Sequence, residues 1–292
     1  MSNKFKGTGV ALVTPFTEQG SVDFKGLGRL VEHLIKGGVD YLVVQGTTGE
    51  SPTLTPEEKR SVVDFVVEVN NGRRPVVLGH GGNNTHQILR GFGHFDFTGI
   101  DAILSVSPAY NKPTQEGIYQ HFKAIAEASP VPVILYNVPP RTGSNMTSET
   151  TLRLAHNVKN VVAIKEASGD LAQIGRIIRD RPAQFMVISG DDALVVPHMA
   201  LGGDGIISVV GNALPGRFSK LVNYALEGNF QGAREVHYNL MDVITLLFAE
   251  GNPGGVKAAL KILGICGDDV RLPLVKVSAE TYNKLDKVIK SL

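Results

Sequence analysis

The stretch "NVVAIKEASGD", Asn160–Asp170, decides how the chain reads. Val161-Val162-Ala163-Ile164 is short and wholly apolar, and three of its four residues are β-branched. Such a run marks a strand covered on both faces. Lys165 follows at once, ahead of a Glu-Ala-Ser-Gly turn. An unpaired ammonium is costly to bury. A lysine so placed either carries its head to water or sheds its proton, and an uncharged amine is a nucleophile.

Similar runs recur on both sides of this one. They are "GVALVTP" (Gly9–Pro15), "DYLVVQ" (Asp40–Gln45), "PVVLG" (Pro75–Gly79), "DAILSVS" (Asp101–Ser107), "PVILYN" (Pro132–Asn137), "FMVISG" (Phe185–Gly190) and "GIISVV" (Gly205–Val210). Amphipathic stretches separate them. "DFKGLGRLVEHLIKGG" stops at Gly37-Gly38, a C-cap signal. "TPEEKRSVVDFVVEVNNG" opens with Thr55 as N-cap, Pro56 at the first helical position and acidic residues in the first turn. "TQEGIYQHFKAIAEAS" and "TSETTLRLAHNV" repeat the theme. Eight strand–helix units predict an α/β fold, a (β/α)8 TIM barrel. An open doubly wound sheet is the rival, but no glycine-rich dinucleotide fingerprint follows the first strand. After Glu227 the strand signal ends. Residues 1–227 are expected to form the catalytic barrel and residues 228–292 a C-terminal helical appendage.

Bulk properties narrow the function. The chain has 292 residues, 42% of them apolar, and a formal charge of +1, so nothing suggests a nucleic acid or an acidic membrane as partner. A single cysteine, Cys266, excludes an internal disulfide and suits a reducing cytoplasm. No signal-peptide pattern or spanning apolar run is visible. The eight histidines show no metal-ligand spacing, and His33, His121 and His198 fall inside helical patterns as structural residues. "GHGGNNT" (Gly79–Thr85) lacks the Gly-Lys-Ser/Thr ending of a nucleotide loop.

In a barrel of this kind the chemistry gathers at the C-terminal ends of the strands. Polar and reactive types collect there: Thr47, Thr48 and Glu50, Tyr110, Tyr136, Asn137 and Arg141, Lys165, then Gly190, Asp191 and Asp192. Each has a plain alternative. Tyr136 suits a core phenol bonded to a carbonyl, or a proton carrier beside Lys165. Gly46-Thr47-Thr48-Gly49 suits a simple turn or a nest of N–H groups for a carboxylate. Arg141 suits solvent or a second carboxylate. Asp191 and Asp192 read as a helix N-cap rather than metal ligands.

The motifs "GTTGESPTL", "YNVPPRTG", "IKEASGD", "SGDD" and "GGDGIISV" occur in one order over nearly the whole chain. With them the chain resembles the pyruvate-dependent Schiff-base aldolases of the N-acetylneuraminate lyase superfamily. Within these it is similar to the branch that condenses pyruvate with L-aspartate 4-semialdehyde, in the diaminopimelate route of lysine biosynthesis. The resemblance implies that Lys165 forms the imine, that Tyr136 moves protons, and that Thr47 links Tyr136 to Tyr110 of the partner subunit. It implies that Thr48 and the backbone at Ile207 hold pyruvate, that Gly190 lines the pocket, and that Arg141 binds the second substrate's carboxylate. It implies a cytoplasmic homotetramer, a dimer of dimers, with no metal and no cofactor. The alternative is another aldolase of the superfamily, cleaving N-acetylneuraminate or a 2-keto-3-deoxy sugar acid. A keto-acid-binding barrel without turnover and a metal-dependent aldolase are the remaining readings. Lysine-inhibited members often carry histidine, glutamate and tyrosine where this chain has Lys59, Gln87 and Ala109, so feedback by L-lysine is expected to be weak or absent.

Overall fold

A computed structural model describes residues 4–292. Eight parallel strands close on themselves in chain order: β1 (Gly7–Ala11), β2 (Tyr41–Val44), β3 (Val76–Gly79), β4 (Ala102–Val106), β5 (Val133–Asn137), β6 (Val161–Glu166), β7 (Met186–Ser189) and β8 (Gly205–Ser208). Pairing of Gly7 to Val10 with Gly205 to Ser208 joins the two edges, so no strand is left open. The outer ring comprises α1 (Phe24–Lys36), α2 (Pro56–Asn70), α3 (Thr85–Gly91), α4 (Gln115–Ala128), the single turn α5 (Pro139–Thr142), α6 (Ser148–Asn157), α7 (Leu171–Asp180), α8 (Val195–Ala200) and α9 (Pro215–Leu226). Three more helices follow: α10 (Phe230–Phe248), α11 (Gly254–Ile262) and α12 (Ala279–Ser291). The TIM barrel expected from the sequence is the fold observed.

The strands are apolar throughout because each faces two cores. Leu42 and Val44 pack outward under the helices, while Tyr41 and Val43 pack inward. Val133 and Leu135 point out, Ile134 and Tyr136 point in. This two-residue period is the pleat of the strand. Helix ends follow their caps. Thr55 accepts from the Glu58 N–H while Glu58 accepts from the Thr55 N–H, and Asn71 closes α2 in the left-handed conformation. Thr114 and Thr147 cap α4 and α6 in the same way on the N-terminal side.

Two local expectations are corrected. The first strand, expected over Gly9–Pro15, pairs over Gly7–Ala11; the chain beyond runs off the ladder, with Val13 N–H held by Asn212 Oδ1. Asp191 and Asp192 do not cap a helix. Leu194 stands at the N-cap of α8 without a side-chain bond. Asp191 instead accepts from the Ala193 N–H in a tight turn, and Asp192 turns inward.

The C-terminal helices are not a loose extension. α10 packs on α8 and α9 as well as on α11 and α12. The segment between α10 and α12 reaches back to the end of β2. Lys257 and Glu50 form an ion pair with both side chains fully buried, and Arg271 N–H donates to the second Glu50 oxygen at 3.0 Å. Glu50, expected at the reactive rim, is therefore an anchor. Among the described residues no helix is long and apolar enough to cross a membrane.

Candidate active site

A bulge brings Lys165 inward. Between Val133 and Ile134 of β5 the register with β6 slips, so that Val133 faces Val161 but Ile134 faces Ala163. Val162 is the extra residue, and Val162 and Ala163 both pack toward the barrel interior. Without this insertion the alternation would send Lys165 to the helix side. With it, Lys165 pairs with Tyr136 in the ladder, and its Nζ lies 4.5 Å from the centre of the Tyr136 ring. Both side chains are buried, Lys165 at 5% and Tyr136 at 6% exposure. A cation over an aromatic face is attracted to it, and a neutral amine there has a phenol for a neighbour. On the other side, Gly190 faces the lysine stem. A Cβ at Gly190 would stand 3.0 Å from Lys165 Cε and 2.7 Å from Ala167 Cβ.

The remaining candidates surround this pair unevenly. Thr47–Gly49 is a 3-10 turn closed by the Gly49 N–H to the Gly46 carbonyl. Thr48 is buried and accepts from Asn252 Nδ2 at 2.9 Å, whereas Thr47 is exposed. Ile207 is buried in β8 and belongs to the interior cluster with Tyr136. Arg141 lies on α5, exposed, with no side-chain partner among the described residues. Tyr110 is the outlier: its side chain is 91% exposed on a left-handed backbone, φ +68°. Its loop is nonetheless held. Tyr110 N–H donates to the Thr142 carbonyl at 3.0 Å, and Asn83 bonds both backbone groups of Ala109.

Behind the pair sits a polar brace, of which the sequence reading singled out only Asn137. Glu166, next to Lys165, accepts from Asn137 Nδ2, Gln173 Nε2 and the Ser168 N–H. Asn137 is next to Tyr136, so one bonded carboxylate ties the outer faces of β5 and β6 together. Burial pushes the Glu166 carboxyl up, and these hydrogen bonds draw it back. Asp192 braces the far side. It takes the Ser208 hydroxyl and the Val209 N–H, and burial raises its carboxyl to about 6. His33, His121 and His198 are structural as expected. They contact the Ala213 carbonyl, the Thr85 hydroxyl and the Val187 carbonyl respectively.

A cavity of about 510 Å³ opens beside the site, with Tyr136 and Thr47 on its wall. Lys59, Gln87, His80 and Asn84 line its other parts. Burial lowers both the Lys59 ammonium and the His80 imidazole below their ordinary values. Among the described residues no group of three His, Cys, Asp or Glu side chains is placed to hold a metal.

The family model described as the dihydrodipicolinate synthetase family matches residues 4–292. The chain belongs to that family. A family relative from Parabacteroides distasonis, named 4-hydroxy-tetrahydrodipicolinate synthase, is 53% identical over 98% of this chain and 97% of its own. The crystal structure of the dihydrodipicolinate synthase from Aquifex aeolicus matches with a TM-score of 0.95 and 46% identity, covering 98% of each chain. The family member from Cyanidioschyzon merolae, solved with lysine bound, is 39% identical, with a TM-score of 0.94 and 99% of each chain covered. The resemblance read from the motifs is thus borne out at the level of family and fold. Within the family barrel, the bulge at Val162, the brace at Glu166 and the anchor at Lys257 are what the motifs did not disclose. Only Lys257 left a trace, as a lone charge in the apolar run "GGVKAAL".

Proposed function

We propose that the chain condenses pyruvate with L-aspartate 4-semialdehyde to give 4-hydroxy-tetrahydrodipicolinate. The observation that carries this reading is the buried Lys165–Tyr136 pair at the mouth of a closed barrel, in a chain whose full-length relatives carry that enzyme's name. The Lys165 amine adds to the pyruvate ketone, and loss of one water leaves an imine. The imine draws electrons from the methyl carbon, which releases a proton and becomes an enamine nucleophile. That carbon attacks the aldehyde, and the new alkoxide takes a proton. The amino group of the second substrate then attacks the imine carbon, closes the ring and releases Lys165.

Each side chain has a proposed part. Tyr136 carries protons to and from the reacting centre. Thr47 connects it to Tyr110 of the partner subunit, a role supported by a tyrosine that is exposed yet held on a fixed loop. Thr48 and the backbone at Ile207 bind the pyruvate carboxylate. Gly190 leaves room beside the lysine stem. Arg141, exposed and without a side-chain partner among the described residues, receives the carboxylate of the aldehyde. The proposed assembly is a cytoplasmic homotetramer. Residues 1–227 are the proposed catalytic barrel and residues 228–292 the helical region that braces it.

Trapping tests the reading. The protein is incubated with pyruvate, reduced with borohydride and digested for peptide mass spectrometry. A pyruvate-derived adduct on Lys165 is expected. Lys165→Ala is expected to lose the adduct and at least about 10³-fold in turnover, or about 4 kcal/mol of barrier. Absence of adduct on the wild-type protein would overturn the imine. Turnover of a sugar acid in place of the semialdehyde would move the chain to the neighbouring aldolases.

A further inference from the structure

Thr48 is the one candidate for carboxylate binding whose hydroxyl is held from outside the barrel. Asn252 lies in the turn between α10 and α11, 204 residues away in sequence, and its Nδ2 donates to Thr48 Oγ1 at 2.9 Å. Both side chains are buried. A hydroxyl has one proton and two lone pairs. The amide occupies a lone pair, and no protein acceptor among the described residues takes the proton. The opposite end of the amide is idle: Asn252 Oδ1 is buried and has no partner among the described residues. The two segments are also tied together beside this bond, because Lys257 and Arg271, downstream of Asn252, grip Glu50 at the end of the Thr48 turn.

We propose that Asn252 is a positioning residue for keto-acid binding. By capping the Thr48 oxygen as a donor, it leaves the hydroxyl proton to be given to the carboxylate of pyruvate. The inference rests on the reading of Thr48 given above, and it adds a direction to that hydrogen bond. Without the amide donor the hydroxyl can rotate its proton away from the ligand. With a carboxylate in its place, the proton is drawn backward and a negative charge is set behind the anion site.

The test compares wild type, Asn252→Ala, Asn252→Asp and Thr48→Val, with the two Asn252 variants also made in the Thr48→Val background. Pyruvate is the probe, and KM, kcat and the melting temperature are measured. Asn252→Asp is expected to raise the pyruvate KM roughly 10- to 100-fold, the range for a lost hydrogen bond to a charged group. Asn252→Ala is expected to raise it less, by roughly 3- to 10-fold. The KM for the aldehyde is expected to hold within twofold in both. In the Thr48→Val background Asn252→Ala should not alter the pyruvate KM further, and Asn252→Asp should raise it by less than in wild type, through its charge alone. A merely structural asparagine would lower the melting temperature without this pattern. An unchanged pyruvate KM in Asn252→Asp, or an undiminished effect in the Thr48→Val background, would overturn the proposal. If Asn252→Asp does not fold, Asn252→Ala and its double variant decide by the same criteria. Borohydride trapping of the wild type separates the two levels. No adduct sinks the functional reading and this inference together, whereas an adduct with an insensitive Asn252 sinks this inference alone.

Discussion

Gly190 lies against the stem of Lys165, so closely that a single added methyl would sit 3.0 Å from Cε and 2.7 Å from the Ala167 methyl. The lysine can yield by rotating, but only by moving its amine from over the Tyr136 ring. Ala167 cannot yield without moving backbone. Overpacking of this kind costs about 1–3 kcal/mol. Gly190→Ala is therefore expected to lower kcat/KM for pyruvate by roughly 10- to 100-fold, with a melting temperature within a few degrees of wild type. Steady-state kinetics beside a thermal melt checks this. Unchanged kinetics would mean that the amine does not need its present position.

Tyr110 presents its ring to solvent from a backbone pinned by Thr142 and, through Ala109, by Asn83. Tyr110→Phe keeps the ring and removes the hydroxyl proposed to carry the proton. Turnover is expected to fall by roughly 10²-fold, the lower end for general acid–base catalysis, while pyruvate affinity changes little. The readout is kcat against the concentration dependence of borohydride trapping. An unaltered rate would remove Tyr110 from the relay.

Asp192 gives the fold a pH dependence with a definite sign. Burial raises its carboxyl from 3.8 to about 6. The folded protein then holds a proton more tightly than the unfolded chain. Its stabilising contribution is fully present below about pH 4 and is lost as the pH rises toward about 6. At ~1.36 kcal/mol per unit the loss is roughly 3 kcal/mol. Denaturant melts between pH 4 and 7 should show this fall superimposed on the other groups, and Asp192→Asn should flatten it. An identical pH profile in the variant would assign the slope elsewhere.

L-Lysine is expected to inhibit weakly or not at all. Lys59 presents a cation to the cavity beside Thr47 and Tyr136, and Gln87 supplies no charge to an incoming ammonium. Ala109 offers no aromatic wall. Inhibition assays over a range reaching tens of millimolar L-lysine would check this, and a submillimolar inhibition constant would refute it.

The apolar runs made the barrel legible because a parallel strand with a core on each side carries its signal in every residue. The strand-end motifs pointed to the candidate site for a related reason: in a barrel of this kind functional side chains gather where the strands end. The register of β5 and β6 was not legible. Val162 looks like any other β-branched strand residue, yet it is the one that turns Lys165 from the helix side to the barrel mouth. The acidic pair Asp191-Asp192 read as a cap because local propensity favours that role. The long-range partners Ser208 and Val209 took Asp192 instead. Asn252 was invisible for the same reason, and Lys257 showed only as a lone charge in an apolar run, since their partners lie at the other end of the chain.

The pairing of Glu50 with Lys257 also has a bearing on how the protein comes into being. The two residues are 207 positions apart. At the usual pace of synthesis, ~5–20 residues per second, Lys257 leaves the ribosome roughly 10–40 s after Glu50. Through that interval the turn carrying Thr47 and Thr48 lacks its anchor, and by its end all eight barrel strands have been made. The proposed nucleophile, Lys165, is thus made well before the turn proposed to hold its substrate is anchored, and the last quarter of the chain serves as the latch on that turn.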